Sequence, residues 1–280
     1  HDKASIFEGL EPKGTAVLNG EVQTSPILRE VAARQAARSI SFGESRGCHH
    51  RAIAVTPHPD MVVVEGRAWR IPILFKVNAP GRHFGVNGMG VVAVATALGL
   101  DRAMVMNDLA RWNPGAGRGA HVAITLDEAD PHATLALFDD AYNANPASVA
   151  AALEVLAAAP VQNDVGRLSR GRRVAILGDM KELGPTGADL HAALADLDAT
   201  RVLDKVHCVG PLMRHLHEAL PAERRGLWVA TADELAARVP RQLDAGDVVL
   251  VKGSLSMGLA RVVDAILNMG QGSARDEAEG

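Results

Sequence analysis

Three stretches end an apolar run in residue types that can do chemistry. They are "LFDDAYNANPAS" (137–148), "VAILGDMKELG" (174–184) and "VVLVKGSLSMG" (248–258). The first offers Asp140, Asn143 and Asn145, the second Asp179 and Lys181, the third Lys252, Ser254 and Ser256. Carboxylates accept from hydroxyls, ammonium groups neutralise anions, and amides and hydroxyls orient polar ligands. Such a set suits ligand positioning and charge placement. A purely structural account competes at one position, because Asn145 followed by Pro146 also reads as an N-cap with proline at the first helical position. That account explains Asp140 and Tyr142 less well.

The elements that must carry these residues follow from the hydrophobic pattern. After residue 119, short apolar runs alternate with helical stretches: "HVAITL", "ATLALFD", a helix over 146–158, "RRVAILG", a helix over 187–197, "KVHCVG", a helix over 211–219, "LWVA", a helix over 232–239, "DVVLVKG", and a helix over 256–268. Strand and helix alternation predicts α/β architecture, a mostly parallel sheet with helices on both faces. In such sheets ligands bind beyond the carboxyl ends of the strands. All three stretches end there, which marks that edge as a candidate site.

The first 110 residues read differently. "TAVLNG" predicts a strand, "SPILREVAARQAARS" a helix capped by Ser25 with Pro26 at its first turn, and "SISFGE" a strand. Residues 51–77 alternate and are rich in β-formers, predicting antiparallel strands. "VNGMGVVAVATALGL" and "RAMVMNDLARW" predict two packed helices, and "RWNPGAGRG" a loop at a domain boundary.

Bulk properties narrow the function classes. With 280 residues and 48% hydrophobic content, the chain can build a sizeable core or two. A net charge of -4 argues against a general nucleic-acid binder. Two cysteines, Cys48 and Cys208, suit a reducing, cytoplasmic setting without a disulfide framework. No apolar run reaches the length of a membrane span.

Competing motifs are weak. "GMGVVA" (88–93) has dinucleotide-fingerprint spacing but lacks a preceding apolar strand, so close helix packing through small residues is expected instead of NAD binding. "CHH" (48–50) lacks zinc-ligand spacing and reads as a solvated loop; His207–Cys208 reads as strand packing.

"DDAYNANPASVAAAL", "VAILGDMKELG", "VLVKGSLSMGLARVV", "KASIFEGLEPKGTAVLNG" and "APGRHFGVNGMGVVAVATALGL" together resemble the Mur ligases, in order and across nearly the whole chain. The resemblance is strongest to the branch that adds D-alanyl-D-alanine to UDP-N-acetylmuramoyl-tripeptide. It implies ATP and magnesium as cofactors and amide formation through an acyl phosphate. It also implies an incomplete central ATPase domain over 1–112, a Rossmann-like domain over 113–270 and a flexible tail over 271–280. No G-x-x-x-x-G-K-[ST] phosphate loop and no uridine-binding domain match, so the sequence is expected to be the later part of a longer ligase, inactive alone and prone to self-association, with a monomeric parent.

Carried over residue by residue, Lys3 corresponds to a carbamylated, magnesium-holding lysine. His83 and Asn87 correspond to the adenine-side motif, in which Phe84 replaces an asparagine. Arg118 corresponds to a phosphate-contacting arginine and Asp140 to a ribose-contacting acid, and Asn143 and Asn145, which follow it, are further nucleotide-binding candidates. Lys181, Lys252, Ser254 and Ser256 fall on the dipeptide side, where Leu255 departs from the polar residue expected. A non-catalytic α/β binding module is the alternative.

Overall fold

The computed structural model describes residues 2–35 and 38–271; side chains at 2, 3 and 271 fall outside the description. The chain divides into two compact units, His1–Asn113 and Pro114–Gly280.

The first unit opens with a 3-10 helix, Asp2–Gly9. Strand β1 (Thr15–Asn19), helix α1 (Ser25–Arg34) and strand β2 (Arg38–Gly43) follow. The helix ends earlier than its alanine-rich sequence predicts, and Arg38 and Ser39 belong to β2 instead. Pairing β2 in parallel with β1 overrides their local helical preference. Ser25 is the first helical residue rather than the cap, and its hydroxyl donates to the Asn19 carbonyl at 2.8 Å. Strands β3 (His50–Pro57), β4 (Val62–Ala68) and β5 (Ile71–Val77) form the predicted antiparallel set and complete a sheet ordered β1-β2-β3-β4-β5. In β4 every second residue is buried, as one covered face requires.

That face is covered by α2 (Arg82–Ala97) and α3 (Arg102–Leu109). The 88–93 glycines lie inside α2, not at a strand-to-helix turn. A Cβ at Gly88 would stand 2.8 Å from Val77 and 3.0 Å from Phe75, so glycine lets the helix approach the sheet closely.

The second unit contains β6 (Ala120–Thr125), β7 (Thr134–Asp140), α4 (Pro146–Ala158) and β8 (Arg173–Gly178). It continues with α5 (Gly187–Ala192), α6 (Asp198–Arg201), β9 (Lys205–Val209), α7 (Met213–Ala219), β10 (Arg225–Val229), α8 (Ala232–Ala236), β11 (Val248–Lys252) and α9 (Ala260–Leu267). The sheet order is β10-β9-β8-β11-β7-β6, parallel except for β6 at one edge. This is the predicted mixed α/β architecture.

Helices predicted as continuous are broken. Residues 187–197 form α5 and a 3-10 turn that ends at extended Leu197. The segment predicted helical from 256 begins with a 3-10 turn, Leu255–Met257, and left-handed Gly258 before α9 starts. Strands β8 and β11 are buried almost throughout, because α4 and α7 cover one face while α8 and α9 cover the other. No helix among the described residues is long and apolar enough to cross a membrane.

Candidate functional site

Strand order places β7, β11 and β8 side by side, so the three polar strand ends are neighbours. Register then sorts the side chains. Lys252 pairs with Asp140 and Val251 with Asp139 across the β11–β7 ladder. Alternation sends Asp139 and Asp140 to opposite faces, and the two acids do different work.

Asp139 is buried and serves the backbone. Its carboxylate accepts from the amide N–H of Gly117 at 2.7 Å and of Ala141 at 3.2 Å. It thereby clips the 115–119 loop to the end of β7. Asp140 instead receives the Lys252 ammonium at 2.6 Å, and the same Nζ donates to the Asn143 carbonyl at 2.8 Å. Burial pushes the Asp140 carboxyl above its usual value. The Lys252 charge opposes that shift, Asp139 adds to it, and Arg118 opposes it.

Lys252 is only 3% exposed, with its ammonium turned inward. Its geometry is that of a brace for Asp140 rather than of a group facing a dipeptide. The pair also changes what Asp140→Ala means. The sequence alone predicts an intact fold for a strand-end acid; the structure shows that the substitution strands a buried ammonium.

The asparagines are engaged locally. Asn145 caps α4, its Oδ1 accepting from Ser148 N–H at 2.9 Å while its own N–H donates to Ser148 Oγ at 3.0 Å. Asn143 Oδ1 accepts from Ala144 N–H at 2.8 Å. Both side chains are exposed, and their amide nitrogens make no hydrogen bond among the described residues.

At the β8 end, Asp179 is fully buried. Its carboxylate accepts from Met213 N–H, at the start of α7, at 2.8 Å and faces Lys181 Nζ at 3.1 Å. Ser254 is buried and its Oγ accepts from Lys181 N–H at 2.9 Å, tying the β11 end to the β8 end. Ser256 is exposed on the following turn, beside exposed Leu255. The strand ends thus hold two acid–lysine pairs, Asp140 with Lys252 and Asp179 with Lys181. Sequence reasoning noted Asp179 and Tyr142 at the strand ends but gave neither a role. An acid directly after a strand-ending glycine was the available signal for Asp179.

Arg118 is exposed, its guanidinium carbon 3.9 Å from the centre of the Tyr142 ring, and it forms no ion pair among the described residues. In the first unit, His83 and Asn87 lie one helical turn apart on α2, the latter exposed. The His83 ring is 4.2 Å from Phe84, and Phe84 is 5.9 Å from Trp112, so the residue replacing an asparagine joins an aromatic cluster. Lys3 belongs to the opening 3-10 helix, and its side chain lies outside the described residues.

The 48–50 stretch is not a solvated loop throughout. His50 starts β3 and is fully buried, its Nε2 3.2 Å from Thr96 Oγ1. His207 is buried as predicted, its Nδ1 accepting from Leu227 N–H at 2.9 Å, and burial drives the Cys208 thiol up to about 12. Among the described residues no group of three or more His, Cys, Asp or Glu side chains could hold a metal ion.

Known families fit both units. Residues 1–95 match the Mur ligase middle domain, and residues 126–255 match the Mur ligase glutamate ligase domain. The chain belongs to the Mur ligase family. Among relatives of this Mur ligase chain, the UDP-N-acetylmuramoyl-tripeptide–D-alanyl-D-alanine ligase of Treponema pallidum is 33% identical over 204 residues, covering 72% of this chain and 39% of the relative. The enzyme of that name from Escherichia coli is 27% identical over 271 residues, 96% of this chain and 55% of its own length. The chain thus spans about half the length, or less, of these relatives.

Solved structures agree on the fold. MurF from Acinetobacter baumannii superimposes with a TM-score of 0.74 at 24% identity, over 95% of this chain and 54% of that one. MurF from Thermotoga maritima, solved in complex with ADP, gives 0.71 at 21% identity, over 97% and 57%.

Proposed function

We propose that these residues are part of an ATP-dependent amide ligase that joins D-alanyl-D-alanine to UDP-N-acetylmuramoyl-tripeptide through an acyl phosphate. One arrangement carries the reading: a guanidinium without a carboxylate ion pair among the described residues, Arg118, at the strand ends that also hold the braced acid Asp140. Guanidinium donors match phosphate oxygens bidentately. A carboxylate fixed from below by Lys252 keeps its second oxygen for a ligand hydroxyl, such as those of a ribose. Lys181 and Ser256 lie at the neighbouring strand ends, on the side assigned to the dipeptide. His83 and Asn87 are the adenine-side candidates of the first unit. The names of the relatives and the ADP of the Thermotoga maritima structure support this reading.

Acyl-phosphate chemistry of this kind rests on positioning and charge neutralisation. The 280 residues contain no G-x-x-x-x-G-K-[ST] stretch, so on their own they are expected to bind ADP weakly and to release no phosphate from ATP. Titration of the chain with ADP, followed by NMR, tests the nucleotide reading. Arg118→Ala should weaken binding by roughly 1.5–3 kcal/mol, the worth of a hydrogen bond to a charged group, at unchanged melting temperature. ADP-independent spectra, or equal affinity in the variant, would remove the nucleotide assignment.

A further inference from the structure

We propose that Tyr142 is a positioning residue for Arg118, fixing the guanidinium by its flat face so that its N–H edge stays open to a phosphate. The proposal rests on the nucleotide reading above and gives a role to a residue that had none from the family resemblance or the strand-end pattern.

An exposed arginine on a loop is a poor anion receptor by itself, because its long side chain samples many rotamers and must be ordered on binding. Two features remove that freedom here. The loop backbone is pinned on both sides of Arg118. Gly117 N–H donates to Asp139 Oδ2 at 2.7 Å, Gly119 N–H to the Asp139 carbonyl at 2.7 Å, and Tyr142 N–H to the Gly117 carbonyl at 2.9 Å. Gly117 has φ +74°, and a Cβ there would lie 3.1 Å from the Tyr142 Cβ. Only glycine gives the loop both that backbone angle and that approach.

The side chain is held as well. The Arg118 guanidinium carbon stands 3.9 Å from the ring centre, within range of cation–π attraction. Stacking occupies the face of the guanidinium and leaves its donors free, because they point out along its plane. Tyr142 is 42% exposed, and its hydroxyl makes no hydrogen bond among the described residues. The ring face, and not the hydroxyl, therefore does the holding. Asp140 stands two residues before Tyr142, and the Arg118 charge acts on its carboxyl. One short segment thus supplies the ligand-facing acid and the platform for the ligand-facing base.

The test is NMR of the whole chain, reading the Arg118 Nε–H resonance and the ADP dissociation constant in the parent, Tyr142→Phe, Tyr142→Leu, Arg118→Ala and the Tyr142→Leu/Arg118→Ala double variant. The sequence contains a single tyrosine, so 3-fluorotyrosine adds one unambiguous reporter on the other side of the stack. The ring-current shift on Arg118 should survive in Tyr142→Phe and vanish in Tyr142→Leu. Tyr142→Leu should raise the ADP dissociation constant about three- to ten-fold, in keeping with a stacking contact. Tyr142→Phe should stay within about two-fold, and Tyr142→Leu should add nothing once Arg118 is alanine.

A structural role would instead lower the melting temperature of Tyr142→Leu and weaken ADP binding in the Arg118→Ala background too. That result overturns the proposal. An Arg118 resonance indifferent to Tyr142→Leu also overturns it, as does equal loss in Tyr142→Phe and Tyr142→Leu, which would assign the role to the hydroxyl. If the stack is present but the parent chain shows no ADP-dependent change, the nucleotide reading fails and the positioning role fails with it. The intact stack distinguishes that outcome from the others.

Discussion

The two units present their candidate residues in opposite ways. In the first, Asn87 stands exposed on α2 and makes no side-chain hydrogen bond or ion pair among the described residues. In the second, Asp140 sits over a buried lysine and Asp179 is itself fully buried. Their cores differ in the same sense. The second unit buries its sheet on both faces, whereas the first has one main apolar cluster and leaves Ile53, Leu74, Leu98 and Met104 largely in solvent. A strand-end site built on buried charge cannot be altered without touching stability. A residue presented on a helix surface can. Substitutions at the two kinds of position therefore report different things, and melting temperature is a control for function at exposed Asn87 and Arg118 but not at Asp140 or Asp179.

The largest expected effect lies at the Asp140–Lys252 pair. Asp140→Ala leaves a nearly buried ammonium without its carboxylate, which should cost the second unit roughly 3–5 kcal/mol. Asp140→Asn keeps an acceptor and should cost less, while Asn87→Ala should shift stability by no more than about 0.5 kcal/mol. Urea unfolding monitored at Trp228, which belongs to the second unit, checks the contrast. Equal midpoints for Asp140→Ala and the parent would break it.

A second effect belongs to acid. Burial holds the His50 ring neutral, lowering its value from 6.5 to about 4, with the Arg102 and His49 charges adding to the shift. A depressed value on a base means stability that is complete above pH 6.5 and lost as pH falls toward 4. The loss approaches roughly 3 kcal/mol for a shift of this size. His207 in the second unit is lowered to about 4 in the same way, but there the ring accepts a backbone hydrogen bond while His50 Nδ1 has no partner among the described residues. Hydrogen exchange read by unit should show the first unit, with its smaller core, opening first between pH 6.5 and 4. His50→Phe should flatten that response. Acid opening that starts in the second unit would reverse the comparison.

The smallest effect on folding, and the most visible one on association, concerns exposed apolar surface. Leu74 and Leu98 are each about two-thirds exposed. Leu74→Lys and Leu98→Glu should leave stability within about 0.5 kcal/mol while reducing self-association in sedimentation velocity. Residues 114–271 expressed separately should remain monomeric and resist protease. A strictly monomeric parent chain would show that the exposed surface of the first unit is not a contact.

Local sequence determined much of this protein. Alternation in β4, unbroken apolar runs in β8 and β11, and the Asn145–Pro146 cap are short-range signals, and each element formed where its pattern placed it. The strand-end rule also put the candidate residues on one edge, because alternating strands and helices leave few other places for a ligand. Pairing decided the rest. Arg38 and Ser39 look helical in isolation and became strand because β1 offered them partners. His50 sits in a polar stretch yet is buried, because α2 packs over the start of β3 and supplies Thr96. Asp139 and Asp140 are adjacent and chemically identical, so no local signal separates a loop clip from an acid paired with a buried lysine. Only the register that sets Lys252 opposite Asp140, and the fold-back of Gly117 onto Asp139, divides their work. Those contacts join residues 112 and 22 positions apart, a distance over which composition and periodicity carry no information.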